Sequence, residues 1–193
     1  MSDSKYSNYS SETDNIGEES SNKSPFLFPV IMLGSACVVG GVLLAVDAEG
    51  CLVQLMGGST TKASSILTAL GGASITAAHG HSMAMLGNAR RKFQVHMPSV
   101  AAQSNIPFWN ANRGYYNMVE HMPFFLFNFW LAREAGTPCL AGACCITYGV
   151  GRMLYTHHYA YGGPKKRFRG FVLSVLSSMA CLGVALLKLP FAE

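Results

Sequence analysis

Apolar residues along the chain gather into five runs, Pro25–Val46, Ser65–Gly87, Pro107–Leu131, Pro138–Tyr161 and Phe171–Leu187. Each is close to the roughly 20 residues an α-helix needs to cross a bilayer. The segments between them are polar and rich in chain-turning residues. Gly57-Gly58 with the following Ser-Thr-Thr separates the first two runs, and Met97–Pro107 carries two prolines. The pattern predicts an all-α fold, an integral membrane four-helix bundle over residues 64–193. An extra apolar segment and loop over 25–63 precede it, and a polar tail over 1–24 precedes those. The tail, rich in Ser, Asn, Asp and Glu, is too polar to bury a core and is expected to be disordered. No basic stretch stands before Pro25, so that run reads as a signal anchor or an additional span rather than a cleaved signal.

The polar residues that interrupt the runs recur at helical spacing. Arg113, Asn117 and Glu120 stand at i, i+4 and i+7 within the third run and so form one stripe. Charges inside hydrocarbon are costly unless they face a bundle interior and find partners, which makes the stripe a candidate site. In the fourth run Tyr148, Arg152, Tyr155 and Tyr159 recur at four, three and four residues and share a face. An interfacial aromatic belt, with Arg152 reaching to the membrane surface, is the alternative there. The second run is the least apolar, with His79 and His81 among small residues that permit close helix approach. Packing is the favoured reading for both histidines. Pro123 is expected to kink the third helix just after Glu120 and His121.

Composition supports the membrane reading. Half of the 193 residues are hydrophobic and only 12% are charged, with a mean hydropathy of +0.25, whereas soluble domains carry about a quarter charged residues. The net charge of +4 is unevenly placed. Arg90, Arg91 and Lys92 close the second run, and Lys165, Lys166, Arg167 and Arg169 separate the last two. These clusters fall in alternate loops, so with four spans they emerge on one side, which the positive-inside rule makes cytoplasmic. The six cysteines show no CxxC spacing and lie mostly within apolar runs. They read as small hydrophobes, Cys51 in a loop being the exception. No metal and no nucleic-acid partner are expected.

Taken in order, the motifs resemble a known family. Ala89-Arg90-Arg91-Lys92-Phe93 ends one helix, and Arg113 with Asn117, Glu120 and Pro123 follows in the next. Gly151-Arg152-Met153-Leu154-Tyr155, Tyr159 and Gly163-Pro164-Lys165-Lys166-Arg167-Phe168-Arg169-Gly170 complete the set. From about Ser65 onward the chain resembles the MAPEG family, membrane-associated proteins in eicosanoid and glutathione metabolism. The resemblance implies a multi-pass homotrimer, in the endoplasmic reticulum or a related membrane, with glutathione held between subunits near the cytoplasmic face. It implies glutathione-binding roles for Arg90, Arg113, Asn117, Glu120, Arg152, Tyr155 and Tyr159. The basic residue that stabilises the thiolate matches Lys166 or Arg167, and Arg91 corresponds to a second basic residue that protonates the product. A lipid-headgroup collar is the other reading of these basic residues.

The implied activity is a glutathione transferase acting on lipophilic electrophiles, a glutathione peroxidase acting on lipid hydroperoxides, or both. A non-enzymatic lipid-binding scaffold resembling five-lipoxygenase-activating protein is the alternative. The chemistry suits glutathione, which has two carboxylates, one ammonium and a thiol. Arg113 can pair a carboxylate bidentately, Glu120 can take the ammonium, and Asn117 can serve either. Two departures bear on the pocket. Tyr115 and Tyr116 stand beside the arginine, where they could narrow it, and His121 or Met122 replaces a tyrosine that relatives place after the glutamate.

Overall fold

The computed structural model describes residues 27–95 and 105–189, with side chains from Gly34 onward. The polar tail 1–24 and most of the segment 97–107 lie outside the described residues. Six helices follow in order: α1 (Leu27–Ala45), α2 (Ala48–Leu55), α3 (Thr60–Phe93), α4 (Ile106–Glu134), α5 (Pro138–Gly162) and α6 (Phe168–Lys188). There is no strand among the described residues, and the fold is all-helical.

Five of these helices coincide with the apolar runs. The polar ends add to them. Helix α3 has 34 residues and is therefore about 51 Å long at 1.5 Å per residue, more than the roughly 30 Å hydrocarbon core of a bilayer. Its last turn carries Arg90, Arg91 and Lys92, cations that complement the negative end of the helix dipole. Helix α4 begins at an N-cap, Asn105, whose side chain accepts from the Phe108 amide at 3.1 Å, and continues through Pro123 without a break. It ends where Gly136 takes a positive φ and the Thr137 amide reaches back to the Ala132 carbonyl, the hydrogen bond of a Schellman stop.

The sixth helix is new. Where the sequence reading places a loop, residues 48–55 form α2, with exposed Cys51 on it. Asp47, in a left-handed conformation, caps it by accepting from the Gly50 amide. Leu52 and Val53 then pack on the core. One residue ties this short helix to the bundle. The Glu49 carboxylate accepts from the Cys139 amide at 3.0 Å and the Leu140 amide at 2.6 Å. These belong to the first turn of α5, where backbone N–H groups have no intrahelical partner and the dipole favours an anion.

Paired contacts fix the topology. Leu67 meets Gly142, Ser74 meets Gly149 and Ser82 meets Thr156, so α3 and α5 run parallel. Gly170 meets Tyr155 and Ser174 meets Gly151, so α6 returns antiparallel to α5. Gly114 meets Thr156 while Phe125 stacks on Tyr148 at 3.9 Å, so α4 is antiparallel to α5 as well. Both basic clusters therefore lie at one end of the bundle. The core between α3, α4, α5 and α6 is built from Ile75, Met118, Phe125, Tyr148, Cys181 and Val184, with Val39 and Leu43 of α1 against it.

By length and apolarity, α6 qualifies singly as a membrane span, and the 19 residues of α1 carry no charge. The part of α1 from Gly34 qualifies together with α2 as a pair bent by 52°. Helices α3, α4 and α5 fall short because they carry polar residues, and several of these are buried between helices: Ser82, Asn110, Arg152 and Thr156.

Replacing Glu49 by Ala leaves two N-terminal amides of α5 without an acceptor. The Glu49→Ala protein should lose about 1–2 kcal/mol, the usual range for removal of a helix cap, and Glu49→Gln should lose less. Thermal unfolding in detergent measures the difference, and equal Tm for all three proteins would remove the capping role.

Candidate functional site

At the basic end of the bundle, α4, α5 and the α5–α6 turn enclose a cavity of about 520 Å³. Helix α4 contributes Arg113, Asn117 and His121, and α5 contributes Arg152 and Tyr155. The turn and the start of α6 add Pro164, Lys165, Arg167, Phe168 and Phe171. The turn is set by Gly163, whose φ of 71° suits a residue without a Cβ, and by the proline that follows and ends the helix. Because α5 and α6 are antiparallel, that turn folds its basic residues back over the stripe of α4.

The groups are held in place from behind. Asn117 donates from Nδ2 to the Tyr155 hydroxyl at 2.9 Å. Arg152, only 2% exposed, donates from Nε to the Tyr148 hydroxyl at 3.2 Å. Its guanidinium carbon sits 5.3 Å from the Tyr148 ring centroid and 5.5 Å from that of Tyr155. Arg167 lies over the Tyr159 ring at 5.1 Å, and Tyr159 in turn leans on Tyr155 at 5.7 Å. The aromatic stripe of α5 thus supplies the faces against which two arginines rest.

No carboxylate is among the described residues that line this cavity. Arg152 has no acidic partner among the described residues, although it is a buried guanidinium. Ring faces and one hydroxyl compensate burial of a cation only in part, since an unpaired charge in a low-dielectric interior is expensive. A cavity with Arg113, Arg152 and Arg167 on its walls and no acid among its described lining residues is suited to an anion.

The residues singled out by sequence divide into two groups. Arg113, Asn117, Arg152, Tyr155 and Arg167 line the cavity, and Tyr159 is buried behind Arg167. Glu120 is not among the lining residues and is exposed on α4. Lys166 lays its stem against Gly162 instead of facing the cavity. Arg90 and Arg91 stand exposed at the end of α3, where Arg91 donates to the Asn88 side chain at 2.6 Å. The tyrosines expected to narrow the pocket do not reach it. Tyr115 stacks on His79 of α3, with centroids 5.9 Å apart, and Tyr116 packs edge-on against Tyr115. His121 does reach it, one turn beyond Asn117. That position was legible as the continuation of the Arg113–Asn117 spacing. The apolar wall of Phe168 and Phe171 was missed, because only the reversal at Gly163 brings it opposite α4.

The described residues thus form an all-helical bundle with a cation-lined cavity at its basic end. Comparison with known proteins then gives the family: residues 66–187 match the MAPEG family, and the chain belongs to it. An uncharacterized protein of Synechocystis sp. is 36% identical over 104 residues, an alignment spanning 54% of this chain and 74% of that protein.

Removal of Arg152 separates function from stability. Arg152→Met keeps the volume while discarding a buried charge without a counter-ion, and exchanges of that kind are neutral or stabilising. The variant should melt at or above the wild-type Tm without ligand, yet bind a dianionic thiol peptide about tenfold more weakly or worse. A large fall in Tm would show that Arg152 is structural.

Proposed function

We propose that this chain is a membrane-bound glutathione transferase, with glutathione peroxidase activity toward lipid hydroperoxides as an extension of the same chemistry. The observation that carries the reading is buried Arg152, with half-buried Arg167 and exposed Arg113 beside it, around a cavity of about 520 Å³ with no acid among its described lining residues. Family membership supports it in general terms, since the family includes glutathione transferases as well as non-enzymatic members. Within the family, we propose that the chain is most similar to microsomal glutathione S-transferase type three, a reading that rests on the motif pattern of the sequence.

Arg113 and Arg152 pair the two carboxylates of glutathione in this reading, and Asn117, already oriented by Tyr155, hydrogen-bonds the peptide backbone. The thiol must ionise before it can attack, and a free thiol has a pKa of about 8.5. A fixed cation beside the sulfur lowers that value. Of the two candidate cations, Arg167 lines the cavity and rests on Tyr159, whereas Lys166 packs on Gly162. We therefore assign thiolate stabilisation to Arg167. The thiolate then attacks an electrophilic carbon, displacing its leaving group or opening its ring, or attacks a peroxide oxygen, breaking the O–O bond to release an alcohol and leaving a glutathione sulfenic acid that a second glutathione converts to the disulfide and water.

Glu120 and Arg90 are exposed on a single chain and lie outside its cavity. Both gain a role if a neighbouring copy completes the site, so we propose the homotrimer that the family resemblance implies, with Glu120 taking the glutathione ammonium, Arg90 joining glutathione binding and Arg91 protonating the product. Phe124, Phe127 and Trp130, between half and three quarters exposed on α4, form an apolar face that lipid or a neighbouring subunit would cover. That face, with α6 and the bent α1–α2 pair, supports a multi-pass membrane bundle over residues 64–193, placed in the endoplasmic reticulum or a related membrane with its basic end toward the cytoplasm.

The purified protein in detergent should bind glutathione, and Arg113→Ala should weaken that binding about tenfold or more. Absence of measurable affinity in equilibrium dialysis of the wild type would sink the transferase reading and favour the lipid-binding scaffold. Arg167→Gln should keep glutathione bound but abolish the ultraviolet absorbance of the thiolate, while Lys166→Gln should leave it unchanged. The reverse pattern would transfer the role to Lys166.

A further inference from the structure

A second cavity, of about 220 Å³, lies beyond the Gly163–Pro164 turn from the first. Gly162 and Gly163 wall it, whereas Pro164 and Lys165 face the other cavity. Its remaining walls come from the last turns of α3 and α5 and the first turn and a half of α4. Its lining residues include none of those assigned to the proposed glutathione site, although Arg90, Arg91 and Tyr159 stand beside them on the same turns.

The lining is mostly apolar, with Met85, Phe93, Ile106 and Ala160 prominent. A primary amide in such surroundings is normally hydrogen-bonded. Asn110 lines this cavity, is 8% exposed, and makes no hydrogen bond to any described residue. It stands one turn before Arg113, so the polar stripe of α4 continues into the second cavity. Lys92 lines the same cavity, with its ammonium 5.5 Å from the centroid of the neighbouring Phe93 ring. No acidic residue is among the described lining residues. An accessible amide without a hydrogen-bond partner, a cation and apolar walls are complementary to a small anionic head joined to an apolar tail.

The geometry points to a second ligand site, which holds the anionic head and first methylenes of an acyl amphiphile. Asn110 donates to a head-group oxygen and Lys92 supplies the opposing charge. The tail lies against Met85, Ile106 and Ala160. Carboxylate and phosphate heads share this chemistry, the first in a free fatty acid and the second in a phospholipid.

The test uses the full chain in an uncharged maltoside detergent, titrated separately with octanoate, dioctanoyl phosphatidate and 1-octanol. Binding is read by calorimetry and, for octanoate, by the shift of a ¹³C-labelled carboxyl. Saturable binding of one anion per chain is expected, with 1-octanol about tenfold weaker for want of a charge-assisted bond. The tighter of the two anions identifies the source of the head. Asn110→Leu should weaken anion binding about tenfold, and Ala160→Leu should fill the cavity and block it. Lys92→Gln, at the exposed rim, should reduce both affinity and salt dependence even if the interior variants fail to fold. Glutathione binding should be unchanged in every folded variant, so this inference and the transferase reading can fail separately. Absence of saturable anion binding, equal affinity for octanol, or undiminished binding in folded Asn110→Leu and Lys92→Gln would overturn it.

Discussion

Helix α5 can occupy the centre of this bundle because its backbone is bare on two sides. A Cβ on Gly142 would stand 2.7 Å from the Cβ of Leu67, and one on Gly151 would stand 2.8 Å from the Ser174 amide nitrogen. Gly149 and Gly170 are equally closed, against Ser74 and Tyr155. Small residues let helix backbones approach without help from the hydrophobic effect, which does little between helices in lipid. Close approach in turn aligns hydroxyls across the seam, Ser74 with the Ile146 carbonyl at 3.0 Å and Ser82 with Thr156 at 3.0 Å. With α3 and α6 fixed on either side, Tyr148, Arg152, Tyr155 and Tyr159 have defined directions. The site's geometry therefore depends on absent side chains as much as on present ones.

The two ends of α5 are treated oppositely. At its N-terminus, Glu49 satisfies the free amides of the first turn, so α2 serves as an external cap carried by the chain before the bundle. Toward its C-terminus, charge accumulates without compensation: Arg152 is buried among ring faces, Arg167 lies over Tyr159, and no acid joins them. The first arrangement stabilises the fold. The second leaves a buried guanidinium offset only by ring faces and one hydroxyl.

The elements were legible in the sequence because apolar runs of spanning length separated by polar, Gly- and Pro-containing segments leave few alternatives to helix. Much of the site was legible too. Arg113, Asn117, Arg152 and Tyr155 announced themselves as polar groups at helical spacing where hydrocarbon-compatible residues would otherwise stand. Helix α2 was not, since eight residues with a glycine among them carry little periodic signal. Its reason to exist is a contact with residues ninety positions later. Nor could Arg167 be told from Lys166, because adjacent cations in a turn differ only in direction.

Sequence by itself determined the number of long helices, the shared polar faces and the clustering of positive charge, because each follows from local periodicity and composition. Tertiary structure decided which faces meet. The parallel pairing of α3 with α5 and the reversal at Gly163 bring Arg167, Phe168 and Phe171 over Arg113 and Asn117, and turn Glu120, Lys166, Arg90 and Arg91 away from the cavity. Those outcomes depend on backbone contact between segments distant in the chain, whose energies arise only once the helices are packed.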